Sequence, residues 1–117
     1  MTAQSLDKTR WKLTTYLDGE IETFVPGTVE VTLSFDGGRA SGRSGCNTYM
    51  GPVTLSDTSI TFGQIAGTRM MCSPAQMAVE MAYLKLLDQI STWRRDGDKL
   101  SLGDDIGDVL ASFTLAS

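Results

Sequence analysis

One segment of the chain, residues 73–90, is patterned as a helix, whereas the rest is patterned as short strands. It contains no glycine, and Ser73, Pro74 and Gln76 together form a helix start: an N-cap, a proline at the first helical position and the third residue of a capping box. At 100° per residue, one helix face is apolar. The residues of that face are Ala75, Val79, Ala82, Tyr83, Leu86 and Ile90. We therefore predict a single helix over about residues 73–90 that packs against a sheet.

A second apolar stripe lies on nearly the opposite side of the predicted helix. It consists of Met77, Met81 and Leu84, interleaved with charged residues such as Glu80 and Lys85. A helix that is apolar on two sides must be wrapped by a strongly curved sheet, be covered by a loop, or expose the stripe to a partner. Two interpretations stay open for these three residues: packing against the rim of the sheet, or a candidate patch for an apolar ligand or partner segment.

The other segments show the alternation of half-buried strands. Residues 28–35 alternate apolar and polar side chains and end at Asp36, Gly37 and Gly38, which predicts a tight hairpin. Further strand patterns cover residues 11–17, 21–25, 60–62, 93–95, 100–102 and 109–115. Because strands are not followed in turn by helices, the sequence predicts an α+β fold with an antiparallel sheet. We expect one domain over residues 10–117, preceded by a flexible segment over residues 1–9.

Histidine is absent from all 117 residues, and this excludes several kinds of chemistry. No Ser-His-Asp or Cys-His catalysis and no histidine-containing zinc site can be built. The net charge of -4 argues against a nucleic-acid partner. No stretch is long and apolar enough for a membrane span, and the first twenty residues do not resemble a signal peptide. The acidic turns lack the spacing of a calcium loop. We therefore expect no catalytic residues, no metal and no cofactor.

Several segments together resemble the META/HslJ family of small bacterial domains. They are residues 11–13, 41–51, 68–72 and 97–102, with Glu80 in the predicted helix. The resemblance implies a strongly curved antiparallel sheet wrapped around a single helix. It also implies an envelope-associated location, often as a lipoprotein or secreted domain, and a link to heat shock, other stress responses and antibiotic tolerance. No enzymatic reaction or ligand is implied.

The family signature residues are expected to serve the fold rather than chemistry. They are Trp11, Gly42, Gly45, Asn47, Gly51, Thr68, Arg69 and Met70. Glycine allows close approach of another backbone, and the Asn47 amide is suited to bond a neighbouring strand where a backbone group is left unpaired. For Arg69 two roles stay open, an ion pair with an acid such as Glu80 or an anion contact facing solvent.

Cys46 and Cys72 lie in the two signature segments. In a domain that the resemblance assigns outside the cytoplasm, an even cysteine count favours a disulfide. The bond would close a loop of about 26 residues and stabilise the fold by about 3.5 kcal/mol. The alternatives are two buried thiols, a catalytic thiolate activated by an arginine, or a copper(I) site of Cys72, Met70, Met71 and Met77.

The family resemblance and the stripe of Met77, Met81 and Leu84 favour a non-catalytic, envelope-associated domain. We expect it to act as a stress-related protein-interaction module. The alternative is a module that binds a small molecule or lipid in a cavity between sheet and helix. The expected partner is an envelope protein or an apolar ligand, and the expected state is a monomer in the periplasm or outside the cell.

Overall fold

A single antiparallel sheet dominates the computed structural model, which describes residues 6–116. Its strands are β1 (Thr9–Asp18), β2 (Ile21–Phe24), β3 (Glu30–Asp36), β4 (Arg39–Gly45), β5 (Thr48–Leu55), β6 (Ile60–Phe62), β7 (Ala66–Gly67), β8 (Thr92–Asp96), β9 (Lys99–Gly103) and β10 (Val109–Leu115). The helix α1 spans Pro74–Leu87, between β7 and β8. The α+β class predicted from the sequence is confirmed.

The sheet curls until its two ends meet. Along the sheet the strands follow the order β6-β5-β4-β3-β1-β10-β9-β8, with β2 paired to β1 and β7 paired to β5. A bridge between Ser59 and Thr92 then connects the two outer strands. The Ile60 amide donates to the Ser91 carbonyl at 3.0 Å beside this bridge. The result is a nearly closed, barrel-like sheet, in which few strand edges stay unpaired.

The core lies between the inward side chains of the sheet and one side of α1. Tyr83 of α1 is fully buried and meets Tyr49 and Phe113 edge to face, with ring centroids 5.6 and 6.4 Å away. The Tyr49 hydroxyl lies 2.6 Å from that of Tyr83 and donates to the Thr32 carbonyl at 2.7 Å. Burial raises the pKa of both tyrosines, so both hydroxyls stay neutral. The core between the sheet and this side of the helix is therefore packed with aromatic side chains.

The start of the helix follows the sequence prediction closely. Ser73 is the N-cap, and its hydroxyl accepts from the Gln76 amide, while the Gln76 side chain accepts from the Ser73 amide. Ala75 is exposed, however, and not part of the buried face, because it lies in the first turn. Leu87 is buried in addition to the predicted apolar residues.

The chain is packed from an earlier point than the predicted boundary at residue 10. Leu6 is buried in the core, and the Lys8 amide donates to the Phe35 carbonyl at 2.7 Å. Residues 6–9 therefore belong to the packed structure, because Leu6 contributes apolar surface to the core. The rest of the predicted flexible segment, residues 1–5, lies outside the described residues.

Candidate functional site

The candidate site is a pocket of about 340 Å³ between α1, β5 and the segment that leads from β7 to the helix. Its polar lining includes Ser44, Asn47 and Glu80, which we call the pocket floor. Its outer lining includes the side chains of Arg69, Met70 and Met71, which we call the pocket rim. The apolar walls between floor and rim are completed by Ile65, Met77 and Leu84. Two signature segments and the helix thus meet at one place.

Glu80 is the centre of the pocket floor. It is only 6% exposed, although it is a carboxylate on a helix. Its Oε1 accepts from the Ser44 hydroxyl at 2.6 Å and from the backbone amides of Asn47 and Cys46 at 2.7 and 3.3 Å. Its Oε2 accepts from the Asn47 side chain at 2.9 Å. Four donors therefore hold one carboxylate and tie α1 to the turn between β4 and β5.

These hydrogen bonds keep Glu80 ionised. Burial alone would raise the pKa of the carboxyl, but the hydrogen bonds from Ser44, Asn47 and Cys46 lower it, and the net shift is downward from 4.5. Within residues 6–116, no basic side chain forms an ion pair with Glu80. The negative charge is stabilised by neutral donors, so its role in the floor does not depend on a counter-charge.

Asn47 connects the floor to the rim. Its Oδ1 accepts from the Met70 amide at 2.6 Å and from the Thr68 hydroxyl at 2.9 Å. Its Nδ2 donates to the Met70 carbonyl at 3.2 Å as well as to Glu80. Both the acceptor and the donor capacity of this amide are thus in use. The segment before the helix is fixed to the β4–β5 turn by one side chain.

The predicted disulfide between Cys46 and Cys72 is formed and reinforces this connection. The two Cα atoms lie 5.8 Å apart, and Cys46 directly precedes Asn47 in the floor. Because both sulfurs are bonded to each other, neither the thiolate nor the copper(I) site that included Cys72 is present in this structure. No group of three or more His, Cys, Asp or Glu residues within the described part of the chain could hold a metal ion.

Gly45 lets α1 approach the floor closely, and Gly51 lets the segment of Gln64 and Ile65 approach β5. A Cβ at Gly45, whose φ is +117°, would lie 3.0 Å from the Gln76 carbonyl oxygen and 3.3 Å from the Glu80 amide. A Cβ at Gly51 would lie 2.8 Å from the Gln64 carbonyl oxygen. Any side chain at Gly45 would therefore push α1 away from the turn that supplies the Glu80 donors.

The rim contrasts with the floor because its side chains make no polar contacts with any of the residues 6–116. Met70 and Met71 are 58% and 87% exposed. Arg69 is exposed, and its guanidinium forms no ion pair with any carboxylate among residues 6–116. Of the two roles left open for Arg69, the ion pair with Glu80 is not formed, since the floor donors already surround that carboxylate. Arg69 faces solvent at the mouth of the pocket.

The second apolar stripe of the helix is divided between the pocket and the open surface. Met77 and Leu84 are half-buried and line the pocket. Met81 is 69% exposed and lies outside the pocket lining. Of the other signature residues, Trp11 is buried in the core and has the Arg95 guanidinium 5.1 Å from its ring centre. Thr68 hydrogen-bonds Asn47, and Gly42 lies at a separate depression on the outer sheet face.

Sequence reasoning missed the buried position of Glu80. On a helical wheel it falls within the polar surroundings of the second stripe, which is typical of a solvent-exposed face. Its partners come from residues 44–47, more than thirty positions away along the chain. The available signal was the presence of Glu80 among the segments that resemble the family.

The family model of the META domain matches residues 4–117, almost the whole chain. The chain belongs to the META domain family. Within this META domain, the floor is built from Ser44 and Asn47 at the β4–β5 turn and from Glu80 of the helix. No helix among the described residues has the length and apolar character needed to cross a membrane.

Solved structures show the same fold. A protein from Burkholderia xenovorans, determined by NMR, is 32% identical, with a TM-score of 0.76 over 96% of this chain and 84% of that one. A second NMR structure is 23% identical, with a TM-score of 0.69 over 95% and 92% of the two chains. A DUF4847 family protein from Bacteroides vulgatus ATCC 8482, solved by crystallography, is 12% identical with a TM-score of 0.63 over 93% of each chain. No curated protein matches this META domain.

Proposed function

We propose that this META domain is a non-catalytic binding module whose pocket receives an apolar side chain from an extended partner segment. The observation that carries the proposal is the difference between floor and rim. The floor amide of Asn47 has no hydrogen-bonding capacity left, so the pocket offers a partner mainly its apolar walls. Methionine side chains such as Met71 and Met77 adapt to differently shaped apolar groups.

The rim adds a preference for a negatively charged group on the partner. Arg69 lies at the mouth of the pocket without an intramolecular carboxylate partner among the described residues. A guanidinium there favours an acidic side chain next to the inserted apolar one. The proposed partner is therefore a segment of an envelope protein in which a large apolar residue is followed by an acidic residue. A stress-related role, as implied by the family resemblance, is part of the proposal.

We also propose an extracytoplasmic location. The disulfide between Cys46 and Cys72 supports it, because such bonds persist mainly in oxidising compartments.

The test is an NMR titration of the protein carrying labelled methionine methyl groups. The probe is the acetylated and amidated peptide Ala-Leu-Glu-Ala, with Ala-Ala-Glu-Ala and Ala-Leu-Lys-Ala as controls. We expect the first peptide to shift the methyl signals of Met70, Met71 and Met77, and each control peptide to bind more weakly. Shifts confined to Met50 or Met81, or equal binding of all three peptides, would contradict the proposal.

Two methionines of α1 provide a matched pair of variants. Met77→Ala removes part of the pocket wall, and we expect it to weaken binding about fivefold because apolar contact area is lost. Met81→Ala makes the same chemical change outside the pocket lining, and we expect no effect. Equal weakening by both variants would mean that the pocket does not receive the peptide.

A small apolar molecule is the second candidate occupant. The pocket volume of about 340 Å³ lies within the range of small-molecule sites and supports this alternative. Native mass spectrometry of the purified protein separates the two candidates. A retained small ligand that is lost from the Met77→Ala variant would favour the small molecule, whereas a ligand-free protein that binds the peptide would favour the partner segment.

A further inference from the structure

A second concave region lies on the outer face of the sheet and borders the pocket, with which it shares Thr48 and Tyr49. It is a shallow depression of about 490 Å³ across β1, β3, β4 and β5. Arg10 of β1 and Arg43 of β4 contribute to its lining, together with the hydroxyl side chains of Ser34, Ser41 and Thr48. Neither the function proposed above nor the family signature assigns a role to this combination.

Gly42 of β4 allows β3 and β4 to approach closely beside the depression. A Cβ on Gly42 would lie 2.1 Å from the Thr32 carbonyl oxygen, so no other residue fits there without moving β3. The Thr32 hydroxyl is already in use, because it accepts from the Arg43 amide at 2.9 Å. The depression is therefore a consequence of how β3 and β4 are joined.

The strand register arranges basic and hydroxyl side chains side by side. Arg10 is the cross-strand partner of Ser34, and Ser34 is the partner of Ser41. Arg43 is the partner of Thr48. Directly paired positions lie about 5 Å apart, so Ser34 and Ser41 are neighbours, flanked by the long side chains of Arg10 on β1 and Arg43 on β4.

The polar groups in the depression are largely uncommitted. Within residues 6–116, the hydroxyls of Ser34, Ser41 and Thr48 have no side-chain hydrogen bond. Arg43 has two weak contacts: its Nη2 donates to the Cys46 carbonyl at 3.4 Å, and its Nε lies 3.8 Å from the Glu30 carboxylate. Its side chain stays 48% exposed. The guanidiniums of Arg10 and Arg43 and the hydroxyls of Ser34 and Ser41 are therefore available to one ligand.

The outer face around the depression carries mainly positive charge, like the depression itself. On the five adjacent strands β4, β3, β1, β10 and β9, the outward basic side chains are Arg10, Lys12, Arg39, Arg43 and Lys99. The outward carboxylates on the same strands are Glu30 and Asp36, at the two ends of β3. In a chain whose net charge is -4, this face is locally basic and attracts anions.

We propose that this depression binds a phosphate group. A guanidinium matches the geometry of a phosphate with two parallel hydrogen bonds, and hydroxyl donors complete the coordination of a tetrahedral oxyanion. Phosphate could reach the site as a free ion or as the headgroup of a phospholipid, and the chemistry of recognition is the same for both. Arg10 and Arg43 do not line the apolar pocket, so the phosphate site does not depend on the function proposed for that pocket.

The experiment has one arm for each phosphate source. In the first arm, inorganic phosphate is titrated into labelled protein at constant ionic strength, with chloride as the control anion. In the second arm, the protein is sedimented with vesicles of equimolar phosphatidylglycerol and phosphatidylcholine, and with vesicles of phosphatidylcholine alone. We expect saturable amide shifts at Ser41 and Arg43 in the first arm, and co-sedimentation with the anionic vesicles if the source is a lipid.

Variants distinguish a built site from general attraction. Arg10→Gln combined with Arg43→Gln should weaken phosphate binding about tenfold or more, and Ser41→Ala should weaken it by a smaller factor. Arg94→Gln removes an exposed arginine of β8 that does not line the depression, and should change nothing. Absence of saturable binding in both arms would overturn the proposal, and so would equal losses in the Arg94 variant and the double variant.

Discussion

The floor and the rim line the same pocket, but their side chains are held in opposite ways. In the floor, four donors surround the Glu80 carboxylate, and the Asn47 amide is fully hydrogen-bonded. In the rim, Met71 is 87% exposed and Arg69 has no carboxylate partner in the described part of the chain. We infer that the floor specifies the structure, whereas the rim is available for recognition.

Met70 marks the boundary between the two regions. Its backbone amide and carbonyl are both bonded by Asn47, yet its side chain is 58% exposed. A fixed backbone that carries an exposed flexible side chain loses little backbone entropy when a partner binds. The comparison therefore predicts that floor variants lose stability and that rim variants lose binding.

The largest effect is expected for Glu80→Ala in the floor. Four donors would lose their acceptor while remaining buried, which should lower the free energy of unfolding by about 4 kcal/mol. Urea denaturation followed by tryptophan fluorescence measures the change. Glu22→Ala removes an exposed carboxylate on β2 and should stay within about 0.5 kcal/mol of the wild type. A loss below about 1 kcal/mol for Glu80→Ala would mean that the floor does not stabilise the fold.

The second-largest loss of stability is expected when the disulfide beside the floor is removed. Replacing both Cys46 and Cys72 by alanine should cost about 3.5 kcal/mol, because the closed loop of about 26 residues no longer restricts the unfolded chain. Denaturation of this variant, and of the wild type with and without reductant, measures the cost. Mass spectrometry of the unreduced protein provides the control for the bond itself. Two freely alkylated thiols in native protein would contradict the disulfide.

A smaller effect is expected from the charge of Glu80 and its dependence on pH. The folded-state pKa is lowered, so the stabilising contribution is present above the ordinary value of 4.5 and is lost as the pH falls through the folded-state pKa. Glu80→Gln does not titrate, and the wild type should exceed it in stability by about 2 kcal/mol near neutral pH. The difference between the two proteins should shrink below pH 4.5. A difference that grows on acidification would contradict the assigned direction.

The smallest effect on stability is expected at the rim. Met71→Ser changes a side chain that is 87% exposed, so the free energy of unfolding should change by at most about 0.5 kcal/mol. The same variant should weaken binding of the Ala-Leu-Glu-Ala peptide, as measured by the methyl NMR titration. A destabilisation as large as that of a floor variant would remove the distinction between the two regions.

Much of the fold could be predicted from local patterns. The capping box of Ser73 and Gln76 fixed the start of the helix, and Gly37 and Gly38 fixed the hairpin between β3 and β4, because both signals depend only on neighbouring residues. The two apolar sides of the helix left three arrangements open, and the family resemblance implied the curved sheet among them. The closure between β6 and β8 could not be predicted, since the Ser59–Thr92 bridge joins residues far apart in sequence.

The candidate site was only partly predictable for the same reason. Met77 and Leu84 were identified from helical periodicity, and both line the pocket. Glu80 has the pattern of an exposed residue, and its burial depends on donors from the β4–β5 turn that only the tertiary fold brings close. The burial of a polar side chain depends on the hydrogen-bond partners that surround it in the fold. The residues next to it in sequence do not identify those partners.

Native-state hydrogen exchange of the segment before the helix tests the contrast between floor and rim most directly. The Met70 amide donates to Asn47, whereas the amides of Arg69 and Met71 have no acceptor among the described residues. We predict that the Met70 and Asn47 amides are strongly protected, with similar opening free energies, and that their neighbours Arg69 and Met71 exchange rapidly. Rapid exchange of the Met70 amide, or uniform protection of all three consecutive amides, would contradict the account.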